Sequence, residues 1–332
     1  MIITKTPLRL TLGGGGTDLP SYYSKYGGFV ITTAVDKFVY LIVKKTFEDK
    51  LRVSYSKTEI VTNENEIQHP IVREALKLLH LSKNLEIISI ADLPSNTGLG
   101  SSGSFTVGLM HALHSYNGEF VLPQQLAEEA CHIQMDILNE PEGKQDPYIA
   151  ALGNITCLHI DKGGKVNPSF IKLENGLFRE FQHSLLFFYT GIKRSSSLVL
   201  SEQKKSIEKD ETKVVESLHR IKEIGRQVKI AIEAGDIDEF GRLQYEHWLE
   251  KKNLSSNVSS PQIDHWFNVG MDAGAIGGKI MGAGGGGFLM FCATSSRDKI
   301  RKAMANEGLS EVNMRVGVEG TRTILNLGDS ST

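Results

Sequence analysis

The sequence predicts an α+β protein with two lobes around a cleft. At 332 residues the chain exceeds the usual length of a single domain. Its first third reads mainly as β-strands, whereas helical patterns dominate the later segments. Hydrophobic residues make up 40% of the chain and charged residues 23%, a balance typical of globular proteins with ample core. We therefore expect the chemistry of the protein in a cleft between the lobes.

Apolar and β-branched runs predict the strands near the N-terminus. These cover Ile2 to Leu12, Phe29 to Lys44, Leu51 to Ser54 and Leu85 to Ile90. Three helices are predicted next, because each segment opens with a capping residue or a proline. They run from Ser102 to about His114, from Pro123 to about Leu138 and from Pro147 to about Leu152.

The second half of the chain reads as helices around a short strand. Apolar residues recur three, four or seven apart between Ser201 and Glu233, which predicts an amphipathic helix or helix pair. Two helices and a strand follow at Ile237 to Lys252, Gln262 to Ala273 and Phe288 to Cys292. Gly, Asn and Pro interrupt the pattern between Lys165 and Phe181. We therefore predict one lobe in residues 1–170 and a second in residues 171–332, with a frayed end at Ser330 to Thr332.

Charge and cysteine usage disfavour several classes of partner. The formal net charge is -2 without a long basic run, so neither nucleic acid nor an anionic membrane is expected. Cys131, Cys157 and Cys292 lie in apolar stretches without CxxC spacing, which predicts a cytoplasmic protein without disulfides or zinc. The alternating N-terminus and the lack of 18 uninterrupted apolar residues argue against export and membrane insertion.

A glycine- and serine-rich loop lies between an apolar strand and a helix. Glycines let a backbone turn tightly against a ligand, and the free N–H groups of a helix N-terminus attract an anion. An ordinary turn with a serine cap is the alternative, and the Walker A lysine is missing. We expect the loop to bind nucleotide phosphates through Pro94, Asn96, Thr97, Gly98, Leu99, Gly100, Ser101, Ser102, Gly103 and Ser104.

Two further glycine clusters lie near the ends of the chain. Gly13 to Gly16 precede Thr17 and Asp18, and Gly282 to Gly287 precede the last predicted strand. A featureless loop would explain either cluster alone. Together with the central loop they indicate three backbone walls that close on one charged ligand.

These three segments resemble, in order and spacing, the signatures of the GHMP kinases, the galactokinase, homoserine, mevalonate and phosphomevalonate kinase superfamily. The segments are Pro7 to Asp18, Pro94 to Ser104 and Lys279 to Phe288. The resemblance implies an N-terminal lobe like ribosomal protein S5 and a C-terminal ferredoxin-like lobe. It also implies ATP and Mg²⁺ as cofactors and a small-molecule acceptor, most simply a sugar phosphate. A homodimer is left open.

Finer features resemble the D-glycero-D-manno-heptose 7-phosphate kinases, which phosphorylate an anomeric hydroxyl. They are Gly143 to Asp146, Tyr189 to Gly191 with Arg194 to Ser196, and Trp248 before Lys251 and Lys252. A fucose or galactose kinase remains an alternative within the superfamily. A catalytically silent sugar sensor on the same fold is an alternative from a different class.

The resemblance assigns Asp146 as the general base that accepts the proton of the acceptor hydroxyl. Arg9 is the best candidate for a nearby cation that favours the ionised carboxylate. Asp146 and Pro147 would equally make a good start for the next helix, and Arg9 reads as an ordinary strand residue. The helix cap and the catalytic role are compatible with each other.

The predicted magnesium ligands are Ser102 and Gln134. Gln134 stands where related kinases commonly have an acidic ligand. Either Gln134 ligates through its amide oxygen or a water, or the metal relies on Ser102 and the nucleotide phosphates. At about 100° per residue, Asp136 lies about 200° around the helix from Gln134 and cannot substitute for it.

Substrate binding is assigned to the outer glycine loops and to a basic segment. Asp18 could take two sugar hydroxyls, although an Asx turn would also explain it. Arg194 is the candidate for a substrate phosphate, because a guanidinium matches phosphate oxygens, although a solvated loop charge is nearly as good an interpretation. His247 and Trp248 either line the acceptor pocket or simply pack. The full predicted set is Gly15, Gly16, Thr17, Asp18, Thr190, Gly191, Arg194, Gly284 and Gly285.

Overall fold

The computed structural model describes residues 1–193, 196–209 and 211–328 and has the predicted two-lobed α+β architecture. Its strands are β1 (Ile2–Gly13), β2 (Gly28–Lys45), β3 (Leu51–Ser54), β4 (Thr58–Val61), β5 (Leu85–Ala91), β6 (Ile155–Ile160), β7 (Val166–Phe170), β8 (Leu185–Tyr189), β9 (Gly277–Ile280), β10 (Phe288–Cys292), β11 (Ser310–Glu311) and β12 (Arg322–Asn326). Its α-helices are α1 (Pro20–Tyr26), α2 (Pro70–Leu78), α3 (Ser101–Tyr116), α4 (Pro123–Cys131), α5 (Gln145–Leu152), α6 (Asn175–Ser184), α7 (Ser196–Glu208), α8 (Thr212–Ala234), α9 (Ile237–Lys252), α10 (Pro261–Asp272) and α11 (Arg297–Asn306).

The first lobe is built on a large sheet with the order β12-β1-β2-β5-β3-β4. The long strand β2 serves two neighbours: its first half pairs with β6, and its second half pairs with β5. All of these pairings are antiparallel except β3 with β5, which is parallel. The apolar helix α3 packs on β1 and β2, which fixes its N-terminus beside the middle of β1.

The second lobe is a small antiparallel sheet with the order β11-β8-β10-β9. One face packs against α10, α11 and the buried side chains of Trp248 and Phe267. The main core continues from the large sheet into this lobe through Phe240, Leu243 and Phe288. Helix α9 contacts β1 in the first lobe as well as β9 and β10 in the second, so it forms one wall between them.

Several predicted boundaries are wrong in detail. The helix predicted to reach Leu138 is α-helical only to Cys131 and continues as a π-helix over His132–Ile137. Helix α5 begins at Gln145 rather than Pro147, and the segment from Ser201 to Glu233 falls into the two helices α7 and α8. The division at residue 170 stays a prediction, but β12 returns to pair with β1, so the last strand belongs to the first sheet.

Other elements were not predicted from the sequence. The missed strands are β4, β6, β7, β8, β9, β11 and β12, and the missed helices are α1, α2, α6 and α11. Most are short, so their hydrophobic pattern spans too few residues to separate strand from helix. The frayed end predicted at Ser330 to Thr332 lies outside the described residues.

Candidate active site

The three glycine-rich loops meet at one pocket between the lobes. The predicted residues that line it are Arg9, Gly15, Gly16, Asp18, Asn96, Gly98, Gly100, Ser101, Ser102, Asp146, His247 and Gly284. The loops touch through backbone atoms, since a Cβ at Gly282 would collide with the Gly98 carbonyl. Gly98 itself has φ 79°, a conformation that favours glycine. The central and third loops therefore form one continuous rim.

The central loop ends at the N-terminus of α3. Gly100 adopts a left-handed conformation at the cap, and the first backbone bond of the helix runs from Ser104 N to the Gly100 carbonyl. The N–H groups of Ser101, Ser102 and Gly103 precede that bond, so they have no partner within the helix. With the helix dipole behind them, N–H groups of this kind attract anions, and the phosphate-binding role of the loop stays a prediction.

Asp146 lies directly against this helix start and is held by Arg9. Arg9 Nε donates to Asp146 Oδ1 at 2.7 Å, and Arg9 Nη2 donates to Oδ2 at 2.8 Å. Arg9 Nη1 donates to the Gly98 carbonyl at 2.5 Å. A Cβ at Gly103 would lie 2.7 Å from the Asp146 Cβ, so glycine permits this close approach. The predicted contact between Arg9 and Asp146 is present, and it joins the loop to the carboxylate.

Asp146 does not cap the helix in which it lies. The N-cap of α5 is Lys144, so Asp146 falls in the first turn, and its carboxylate accepts from Arg9 and from Gln145 Nε2. The interpretation of Asp146 as a helix cap is therefore wrong. Its carboxylate is oriented by side chains around the pocket.

Ser102 contacts a second set of polar side chains, Gln134 and its neighbour Glu140. Gln134 is 2% exposed and donates from Nε2 to Ser102 Oγ at 2.6 Å and to Glu140 Oε2 at 3.3 Å. Its amide oxygen has no hydrogen-bond partner. The predicted inward direction of Gln134 is confirmed, although the π-helix changes the assumed angular spacing. Asp136 is exposed and pairs with His132, so it does not face the site.

Three carboxylates crowd the pocket around Arg9, and we call Asp18, Glu142 and Asp146 the acidic cluster. Burial, and then the nearby Asp146, raise the pKa of Glu142 to about 8. Burial also raises the pKa of Asp18, against hydrogen bonds to its carboxylate from Gly16 N and Gln145 N. Glu142 was missed by the sequence reasoning, although a carboxylate four residues before Asp146 was a usable signal.

Some predicted ligand side chains are committed to the backbone. Thr17 is fully buried, and its hydroxyl bonds to the Gly14 and Phe29 carbonyls while it accepts from Phe29 N. The hydroxyls of Ser104 and Thr190 similarly donate to the Pro7 and Gly287 carbonyls. These hydroxyls stabilise the loops, and the predicted ligand-binding roles of the three residues stay predictions.

Other predicted positions are not part of the pocket lining. Within the described part of the chain, the pocket is not lined by Pro94, Thr97, Leu99, Gly103, Thr190, Gly191 or Gly285. Arg194, the predicted phosphate ligand, lies outside the described residues. The binding roles of the residues that do line the pocket stay predictions.

Three basic side chains complete the lining, and we call His247, Lys251 and Lys279 the basic cluster. Burial lowers the pKa of Lys251 to about 7, and it lowers the pKa values of Lys279 and His247 well below their usual range. The two lysines were missed as site residues. Lys251 reads as a surface charge beside Lys252, whereas Lys279 in a short strand of small and apolar residues was the better signal.

The fold and the pocket together define a phosphotransferase with an anion-binding loop. Two family models match the chain: GHMP kinases N terminal domain over residues 70–154, and GHMP kinases C terminal over residues 228–310. The chain belongs to the GHMP kinase family, and it is an ATP-dependent kinase, as are its relatives.

Named relatives include several sugar kinases. The chain is 29% identical to the D-glycero-alpha-D-manno-heptose 7-phosphate kinase of Campylobacter jejuni, over 87% of this chain and 88% of that protein. It is 26% identical to the L-fucokinase/L-fucose-1-P guanylyltransferase of Bacteroides fragilis, over 90% of this chain and 35% of that protein. Among solved structures, a D-glycero-D-manno-heptose 1-phosphate kinase from Bacteroides thetaiotaomicron superposes with a TM-score of 0.81 at 22% identity, covering 99% and 100% of the two chains.

Among the helices within residues 1–193, 196–209 and 211–328, none combines the length and the apolar character that crossing a bilayer would require.

Proposed function

We propose that this kinase transfers the γ-phosphoryl group of ATP to the anomeric hydroxyl of a sugar phosphate. The first candidate is D-glycero-D-manno-heptose 7-phosphate, which would become the 1,7-bisphosphate. The observation that carries this proposal is the bidentate contact of Arg9 with Asp146 beside the free N–H groups of α3. A base and an anion site within one pocket are what phosphoryl transfer to a hydroxyl requires.

In this reaction the start of α3 holds the triphosphate, and Asp146 takes the proton of the acceptor hydroxyl. Arg9 orients the Asp146 carboxylate, because both carboxylate oxygens accept from its guanidinium. Asp18 is placed to accept a second sugar hydroxyl. An anomeric hydroxyl is more acidic than an ordinary alcohol, so positioning contributes alongside the base.

The residues around Ser102 fit a magnesium ion. Mg²⁺ prefers oxygen ligands and usually takes one or two carboxylates together with substrate phosphates. Ser102 Oγ, the Gln134 amide oxygen without a partner and the Glu142 carboxylate supply such oxygens. A bound Mg²⁺ would neutralise charge on the phosphates, and its charge would also favour the ionised form of Glu142.

An acceptor panel tests the proposal. The purified protein would be assayed with ATP and heptose 7-phosphate, heptose 1-phosphate, free heptose, fucose and galactose. The 1-phosphate belongs in the panel because the name of the structural relative specifies that compound. We expect heptose 7-phosphate to give the highest kcat/KM. Preference for free fucose or galactose would instead favour the alternative that the protein is a fucose or galactose kinase.

The silent sugar sensor, the alternative from another class, is not supported by the kinase relatives. Consumption of ATP that depends on any sugar in the panel would exclude it, whereas sugar binding without ATP consumption would support it. The retained Asp146 and Ser102 favour the enzyme. A cytoplasmic location and a homodimer stay predictions.

A further inference from the structure

The basic cluster is a charged region that the proposed chemistry leaves unused. His247, Lys251 and Lys279 are 3%, 7% and 1% exposed and line the pocket next to Arg9. Lys251 lies on α9 and Lys279 on β9, and both side chains line the pocket together with Arg9. The cluster thus adds basic side chains to the pocket beyond Arg9.

Two elements place these side chains around the end of β1. His247 and Lys251 lie four residues apart on α9 and therefore share one face. Lys279, on β9, donates from Nζ to the Leu12 carbonyl at 2.8 Å. Leu12 follows Arg9 by three residues on β1, or about 10 Å at about 3.3 Å per residue. The Leu12 contact therefore places Lys279 beside β1, about 10 Å along the strand from Arg9.

The basic cluster lacks a compensating anion among the described residues. Lys251 Nζ donates only to the Ile280 and Gly282 carbonyls, and Lys279 Nζ donates only to that of Leu12. Both ring nitrogens of His247 are buried without a hydrogen-bond partner. Buried lysines are normally paired with carboxylates, because an isolated buried charge is strongly unfavourable. The lowered pKa values of Lys251 and Lys279 agree with burial in the absence of a carboxylate partner.

A purely structural role explains this arrangement less well. A lysine can satisfy carbonyl groups at the end of a strand, as Lys251 and Lys279 do. That role needs neither two adjacent cations nor a histidine with two unused ring nitrogens. Unused donors that converge inside a pocket are instead what an anionic ligand requires.

We propose that the basic cluster binds the phosphate that the sugar acceptor already carries. The inference rests on the proposed function and adds its substrate-selecting site. With the anomeric hydroxyl at Asp146, the sugar spans the pocket and its distal phosphate reaches Lys279, Lys251 and His247. The basic cluster thereby takes the role that the sequence suggested for Arg194.

The test compares Lys279→Met and Lys251→Met with the matched control Lys252→Met. Lys252 follows Lys251 on α9 but pairs with Asp264 at the surface. Steady-state kinetics would be measured for heptose 7-phosphate, for free heptose and for ATP. We expect both cluster variants to lower the kcat/KM ratio of phosphorylated to free sugar by about 10- to 100-fold, with the KM for ATP unchanged. The control keeps the ratio of the wild type.

The outcomes separate the inference from the proposed function. If the wild type turns over none of the sugar phosphates, the proposed function fails. If the wild type is active and the cluster variants keep its ratio, the basic cluster does not select the acceptor. If the variants raise the KM for ATP alone, the cluster serves the nucleotide and the inference is overturned.

A measurement on the wild type alone covers the case in which the variants do not fold. Without nucleotide, heptose 7-phosphate should raise the melting temperature of the protein more than free heptose does. Inorganic phosphate should inhibit competitively against the sugar phosphate and not against ATP. Equal stabilisation by the two sugars, or competition of phosphate with ATP alone, would count against the basic cluster as the acceptor phosphate site.

Discussion

The acidic and basic clusters occupy the same pocket, yet their charges are compensated differently. In the acidic cluster, Asp146 shares a bidentate contact with Arg9, and its neighbours Asp18 and Glu142 have raised pKa values. In the basic cluster, no carboxylate among the described residues faces the two lysines, and their pKa values are lowered. Both regions are buried, so the difference lies in which partner is present.

This difference indicates what each region lacks. The acidic cluster has one fixed cation for three carboxylates, and the proposed Mg²⁺ at Ser102, Gln134 and Glu142 would add positive charge beside it. The basic cluster has no anion, so a phosphate would complete it. The charge of Asp146 is therefore paired within the protein, which fixes the geometry of its carboxylate. The basic cluster is unpaired, and we propose that a ligand supplies its partner.

The largest expected effect concerns Asp146. Asp146→Asn preserves the shape of the side chain and an oxygen for Arg9, but it removes the base. We expect kcat to fall at least about 100-fold with the fold intact. Steady-state assays would be paired with urea unfolding, and Asp136→Asn on the protein surface is the control. Near-normal turnover would remove Asp146 from the mechanism.

Removal of Arg9, the cationic partner of Asp146, should reduce the stability of the fold. Arg9→Met leaves the buried Asp146 carboxylate without its cation, which should lower the free energy of unfolding by about 3 kcal/mol or more. Urea denaturation measures this change. The control is Arg220→Met, which breaks an exposed pair with Glu250 and should cost below about 1 kcal/mol. Equal losses of unfolding free energy in the two variants would show that the Arg9–Asp146 pair contributes no more to stability than an exposed pair.

The pH dependence of stability should report on Glu142. Its pKa is raised from 4.5 to about 8, so in this window the folded protein holds a proton that the unfolded chain loses. The free energy of unfolding should therefore fall as pH rises from about 4.5 to 8, by at most about 1.4 kcal/mol per pH unit. Glu142→Gln should flatten this slope. An unchanged slope in the variant would assign the titration to another group.

The smallest effect is expected for the stability of Lys251→Met. Loss of two hydrogen bonds to carbonyls destabilises the fold, whereas removal of a buried ammonium without a carboxylate partner stabilises it. We expect the free energy of unfolding to change by less than about 1 kcal/mol. Urea denaturation in parallel with Arg9→Met makes the comparison direct. A loss as large as that of Arg9→Met would mean that Lys251 is already compensated.

The sequence predicted the parts of the site that depend on local pattern. Glycine-rich loops, helix starts and the strand carrying Arg9 have signatures within a few residues, and the structure brings them together at one pocket. The contact of Arg9 with Asp146 was inferred from a family resemblance that spans the chain. Their roles in catalysis remain predictions.

The sequence could not predict which polar side chains the tertiary structure buries. Thr17 read as a ligand, but its hydroxyl is used by the Phe29 backbone, a contact made only when β2 folds against the loop. Lys251 was not predicted as a site residue, because the packing of α9 against β9 is not visible in a helical pattern. Burial of a charge depends on distant elements, so local periodicity does not reveal it.

The return of β12 to the first sheet affects how the protein is made. Ile2 pairs with Asn326, so one edge of β1 has no partner strand until β12 has left the ribosome. Contacts this distant in sequence form slowly, and an unpaired strand edge invites aggregation in the meantime. The sheet that begins with the first strand of the chain is therefore completed only after the second lobe has been synthesised.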